Sequence, residues 1–231
     1  MARTNTYQHF CPAARALEVI GEKWSLLIVR DLLAGPRRFT DLMRSCVSIT
    51  PKWLTLRLRD LERAGLVERG SEPGRREVWY SLTTAGRELA PVIGALNVWG
   101  LRHAMRAPFP DEEISPTRIM YSFRGYLVTK RIKLPSPATW HISFGDGQAF
   151  RIAFDGSHWS QFELEAAGDG AAAPADVSLE TTPAEWASVF VDDGRDPDTR
   201  LSAVRPRGRP EAVAQFVAVI AGIIGASHPA N

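Results

Sequence analysis

The sequence predicts an α+β protein in two parts: a helix-rich first half that closes on a short β-hairpin, and a second half built on an antiparallel sheet. Three observations lead there. Apolar residues recur every three to four positions up to about Ala104, then shift to period two between Thr139 and Glu165. A proline-rich break, Ala107-Pro108-Phe109-Pro110, separates the two regimes. Charge divides at the same place, because residues 1–107 hold 17 Lys/Arg against 10 Asp/Glu and residues 108–231 hold 11 against 16. The asymmetry suits the first half to a polyanionic partner, beside the alternative of two unrelated domains that merely differ in surface charge.

Taken in order, Cys11–Ile20 and Lys23–Ala34 read as helices parted at Gly21, the second stopped by Gly35-Pro36. A short helix, Phe39–Arg44, leads through a turn into a longer one, Pro51–Ala64. Thr50 suits the cap of that helix, Pro51 its first position and Gly65 a left-handed stop, with Ile49 and Leu54 placed as a hydrophobic staple. Strands Leu66–Arg69 and Glu77–Leu82 follow, joined through Gly70-Ser71-Glu72-Pro73-Gly74. The last helix of this half runs from Thr84 to about Ala104 and kinks or restarts at Pro91. Residues 1–107 thus form one domain, 108–117 a linker and 118–231 a second domain. In the second, Thr139–Phe144, Ala149–Phe154 and Ser157–Glu165 read as strands of a meander turned at Asp146-Gly147 and Asp155-Gly156. A glycine-rich loop from Gly168 to Ala175 precedes a strand at Asp176–Glu180, and helices are expected at Pro183–Val191 and Pro210–Ile224.

Short helix, turn, long helix and basic hairpin make a winged helix-turn-helix. With Leu54 set at zero and about 100° per residue, Leu58 and Leu61 fall within about 40° of it and define the buried stripe. Lys52, Leu56, Arg59 and Arg63 fall roughly opposite, with Thr55 on the flank. That mixture suits a major groove, where Lys or Arg reaches guanine acceptors or phosphates, and Leu or the Thr methyl can touch a thymine methyl. Thr50, Lys52, Thr55, Leu56 and Arg59 lie toward the helix start, the part that meets base edges; Arg63 is left to backbone or solvent. Arg75 and Arg76 at the hairpin tip, and Arg37 and Arg38 ahead of the short helix, suit phosphates or the minor groove. Each cation alone reads equally as a solvated surface charge. Their joint placement points to double-stranded DNA.

The stretch Cys11-Pro12-Ala13-Ala14-Arg15-Ala16-Leu17-Glu18-Val19-Ile20-Gly21-Glu22-Lys23-Trp24 resembles the opening of the HxlR family of winged-helix regulators. The likeness continues through Leu32 to Phe39, Leu54 to Glu62, Gly65-Leu66-Val67, Leu82 to Leu89 and Trp99-Gly100, covering residues 10–105. It departs at Glu22, where a glycine is usual, and at Leu56, where a polar residue is common. The resemblance implies a DNA-binding transcription regulator acting as a homodimer on a pseudo-palindromic operator. Leu89, Val92, Leu96 and Trp99 along the last helix form a stripe suited to a partner helix.

Cys11 stands at a helix start near Arg15, where a thiol can become more acidic, so it is a redox candidate beside the alternative of a buried small apolar group. Cys46 reads as structural. The five histidines lack metal-ligand spacing, and Asp155, Ser157 and His158 read as turn chemistry rather than a triad. No phosphate loop, dinucleotide fingerprint or nucleophile elbow occurs, so neither enzyme activity, cofactor nor metal is expected. With no signal-like start and no long apolar run, a cytoplasmic location and no membrane partner are expected.

The second half resembles the sterol carrier protein-like fold. The likeness rests on Ala175-Asp176-Val177-Ser178-Leu179-Glu180, Trp186 to Phe190 and Val204-Arg205-Pro206-Arg207-Gly208-Arg209-Pro210-Glu211-Ala212, over roughly residues 110–225. A packed core is one account of its apolar residues. The resemblance adds an apolar pocket lined by Trp140, Ile142, Phe150, Ile152, Phe162, Trp186, Phe190, Phe216 and Ile220. An apolar small-molecule effector entering there would change the spacing of the two recognition helices. Two alternatives stay open: a redox-sensing regulator acting through Cys11 with a structural second domain, and a lipid-binding or transfer module.

Overall fold

The computed structural model describes residues 7–71, 77–145, 147–164, 174–191, 194–202 and 204–227. The chain divides into two compact units, Met1–Ile93 and Gly94–Asn231. The first holds α1 (Pro12–Ile20), α2 (Ser25–Leu33), β1 (Arg37–Arg38), α3 (Phe39–Ser45), α4 (Pro51–Arg63), β2 (Val67–Ser71), β3 (Val78–Leu82) and α5 (Thr84–Arg87). α6 (Ala90–His103) begins in it and ends in the second. The three strands form an antiparallel sheet in the order β1-β3-β2. The result is a winged helix-turn-helix, as the element pattern predicts. Ile28, Val29, Leu32, Leu42, Leu54, Leu58, Leu61, Val67 and Leu82 make its core.

Two junctions break the helices of this unit. Between α1 and α2 the left-handed residue is Trp24, at φ 80°, while Gly21 closes α1 with φ −75°. The stretch from Thr84 restarts at Pro91 as expected: Thr83 caps a single turn, α5, and α6 begins at Ala90. Gly86 in that turn lies so close to the wing that a Cβ there would stand 2.1 Å from the Leu66 carbonyl oxygen. β1 has no counterpart in the sequence reading, since two residues carry no periodicity.

The second unit contains α7 (Pro116–Thr129), β4 (Ala138–Phe144), β5 (Ala149–Phe154), β6 (Trp159–Leu164), β7 (Val177–Thr181), α8 (Pro183–Phe190), α9 (Pro197–Leu201), β8 (Arg207–Gly208) and α10 (Pro210–Ser227). Its sheet has the order β6-β5-β4-β7-β8. The meander β4-β5-β6 is antiparallel as expected, but β7 runs parallel to β4, so the sheet is mixed rather than antiparallel throughout. A parallel neighbour needs a long crossover, and the chain between β6 and β7 supplies the length. α7 was not foreseen: Ser115, inside the expected linker, accepts from the Arg118 N–H and caps a helix whose first residue is Pro116. Strand alternation sets Trp140, Ile142, Phe144, Phe150, Ile152 and Phe154 on one face, against Met120, Phe123, Leu127, Trp186, Phe216 and Ile220. Val98 and Leu101 of α6 also pack against this core.

One residue expected to line a pocket is elsewhere. Phe162 is 50% exposed, with the Arg151 guanidinium 5.0 Å from its ring centroid. Phe162 pairs with Arg151 across the β5–β6 ladder, and Arg151 alternates with the inward Phe150 and Ile152, so both belong to the opposite sheet face. The other eight expected lining residues are buried in the core, with Trp140 and Phe216 edge-to-face at 5.0 Å. Asp155 accepts from the Ser157 and His158 N–H groups at 2.7 Å each, the turn chemistry expected there.

Candidate nucleic-acid interface

α4 is built for exposure on one side. Its start is closed by Thr50, whose hydroxyl oxygen accepts from the Trp53 N–H, with Pro51 occupying a position that needs no donor. Its end is closed by Gly65 at φ 72°, with the Leu66 N–H reaching back to the Leu61 carbonyl. Leu54, Leu58 and Leu61 point inward, and among the described residues they tie α4 to the first core. Lys52, Leu56 and Arg59 are exposed and Thr55 is half-buried, as the wheel places them. Among the described residues, neither Lys52 nor Arg59 has an ion-pair partner, so both charges remain available to an anion.

The remaining charges on α4 are engaged. Asp60 is bound by Arg57 at 3.0 Å and by Arg63 at 2.8 Å, and Arg57 also reaches Glu22 at 3.6 Å. Arg57 is a buried cation that the sequence reading passed over, although the wheel sets it only about 60° from Leu54. Trp53 was missed too. It is 52% exposed on the flank of the outer face, and its angle of about 100° from Leu54 was the available signal.

The cations ahead of α3 part ways. Arg38 binds Glu77 at 2.8 Å and lies over the Trp79 ring at 4.7 Å, so it fastens β1 to the wing strand β3 and shares its charge there. Arg37 is half-buried and has no ion-pair partner among the described residues. At the start of α3, Asp41 accepts from the Arg38 N–H at 3.0 Å. Burial alone would raise its pKa, yet this N–H and the Arg44 guanidinium hold the carboxyl below its ordinary value. A fixed anion thus faces the first turn of α3. Arg75 and Arg76 at the wing tip lie outside the described residues.

The two cysteines sit in different surroundings. Cys11 precedes α1 and is half-buried; Arg15, the cation expected to activate it, pairs with Glu18 at 2.9 Å. Cys46 is buried after α3, with Asp31 3.8 Å from its sulfur. Burial and then the Asp31 charge push its thiol up to about 11, so it stays protonated near neutrality and packs as a small apolar group.

Comparison with known proteins agrees with this geometry. Residues 19–108 match the HxlR-like helix-turn-helix family. The uncharacterized HTH-type transcriptional regulator sll1512 of Synechocystis is 40% identical over 93 residues, covering 40% of this chain and 69% of that protein. YybR of Bacillus subtilis, an uncharacterized protein of the same type, is 41% identical over 93 residues, or 39% of this chain and 73% of its own length. Among solved structures, the redox regulator HypR in its oxidized form is 41% identical, covers 39% of this chain and 94% of that one, and superposes with a TM-score of 0.38.

Proposed function

The chain belongs to the HxlR-like helix-turn-helix family, and from that membership we propose how this DNA-binding transcription regulator grips its operator. α4 lies in the major groove with Lys52, Thr55, Leu56 and Arg59 toward the bases and Thr50 at the groove edge. Arg37 contacts phosphate beside it, and Arg75 and Arg76 contact the flanking backbone. The observation that carries this reading is the sorting of charge on α4. Among the described residues Lys52 and Arg59 stand without an ion-pair partner on the outer face, while Arg57 and Arg63 are bound to Asp60.

The protein acts as a homodimer on a pseudo-palindrome. Support comes from α6, where Val92, Leu96 and Trp99 form an exposed apolar row at spacings of four and three. The second unit is the sterol carrier protein-like, ligand-receiving part of the protein. Its support is a sheet with one aromatic-rich face layered by α7, α8 and α10. An apolar molecule held there alters operator binding only through a difference in affinity for two states of the protein. The regulator works in the cytoplasm without a cofactor; among the described residues no helix is long and apolar enough to cross a membrane.

Fluorescence anisotropy with duplex DNA tests the DNA grip. Affinity should fall steeply as salt rises, in proportion to the phosphates neutralised. Arg59→Ala should cost about 1–3 kcal/mol and relax base preference at one position of each half-site. Unchanged affinity and unchanged preference in that variant would mean that α4 presents a different face to the groove.

A further inference from the structure

The outer side of α4 carries more apolar surface than phosphate binding requires. Trp53 is 52% exposed and Leu56 38%, and as residues three apart they stand about 60° from each other around the helix. Thr55 sits beside Leu56, and its hydroxyl already donates to the Pro51 carbonyl at 2.8 Å. What that side chain still offers a partner is its methyl group and an acceptor lone pair. Asp60, on the same shoulder as Trp53, is neutralised by Arg57 and Arg63, so it does not repel a nucleic acid. Lys52 and Arg59 stand before and after the apolar pair along the helix, each without an ion-pair partner among the described residues. An exposed indole and isobutyl pair between two cations calls for a partner that is anionic along its edges and apolar at a point.

The major groove of DNA has that character, and the one apolar feature on its base edges is the C5-methyl group of thymine. We infer that Trp53 and Leu56, with the Thr55 methyl, select thymine by its 5-methyl group and thereby determine operator specificity. This rests on α4 lying in the major groove as proposed above. Lys52 and Arg59 supply hydrogen bonds and attraction; the apolar trio distinguishes a methylated pyrimidine edge from an unmethylated one.

Uracil substitution tests the inference, since uracil differs from thymine only by that methyl. A duplex bound by the full chain is first selected from a random pool, and each thymine is then replaced singly by uracil. Burying one methyl-sized group is worth about a fourfold change in affinity, so uracil at one or two positions of each half-site should weaken binding about fourfold. In Leu56→Ala and Trp53→Ala the thymine-over-uracil preference at those positions should vanish, while the salt dependence of binding stays that of the wild type. Both side chains are exposed, so neither variant removes core packing. Equal affinity of the wild type for thymine and uracil duplexes overturns the inference. So does a uracil penalty that persists in both variants, because DNA shape would then be its cause. Failure to bind any duplex at low salt would instead overturn the placement of α4 in the groove.

Discussion

Arg57 is a cation on the inward side of α4, the helix proposed to read DNA, and its surroundings explain why it is tolerated there. Its guanidinium meets Asp60 one turn ahead and Glu22 in the junction between α1 and α2, so its charge is shared rather than stranded. The pair also keeps Asp60 from weakening the positive face. Because Glu22 and Asp60 are both partly exposed, the pair is worth less than a fully buried one. Arg57→Ala should lower stability by about 1–2 kcal/mol in urea denaturation, between the values typical of exposed and buried pairs. Arg57→Met, which keeps the apolar stem packed, should recover part of that loss. A urea midpoint equal to wild type in Arg57→Ala would show that the network carries no weight. At this scale the sequence was partly legible. The wheel located Lys52, Leu56 and Arg59 correctly on the outside, because a helix with a three-leucine stripe has only one way to turn. It could not show that Arg38 is bound to Glu77, since that contact depends on β1 pairing with β3.

Elements with chemical punctuation were readable in advance, and α4 is the example: Thr50, Pro51 and Gly65 mark both of its ends. α7 was missed for the opposite reason. Its Pro116 stood within a run of prolines that read as linker, though a proline after Ser115 equally opens a helix. The parallel partnership of β4 and β7 was not readable, because alternation reports which face a side chain takes and not which strand lies next to it. α6 carries the prediction that belongs to this scale. Leu96 and Trp99 are 47% and 59% exposed on a helix otherwise packed by Val98 and Leu101. If this row joins two copies, Leu96→Glu or Trp99→Glu should remove a central contact worth about 2 kcal/mol or more. Sedimentation at micromolar concentration should then show a shift from dimer to monomer with the circular dichroism unchanged. A variant that sediments like wild type would place the dimer contact elsewhere.

At the scale of the whole molecule, the proposed effector role of the second unit has a direct test. Native mass spectrometry of the purified protein, set against its denatured mass, should show a dimer carrying extra mass that disappears on denaturation. Bare dimer, with operator affinity unmoved by added fatty or sterol-like compounds, would leave the second unit as a solid-cored structural partner. Trp140 packs against Phe216 and Trp159 with ring centroids 5.0 and 4.9 Å apart, so a guest reaching between those rings has to part them. The same core has a consequence in time. The first unit is complete by Ile93, whereas the second needs Phe216, Ile220, Ile223 and Ile224 of α10 to cover its sheet. With synthesis at about 5–20 residues per second, the stretch between Ile93 and Ile224 takes roughly 7–26 s to translate. During that interval the nascent chain can fold its DNA-reading half, while the strands destined for the second core wait with their aromatic faces uncovered. A chaperone that holds such strands therefore has its moment on this protein late in translation, after the reading head has formed.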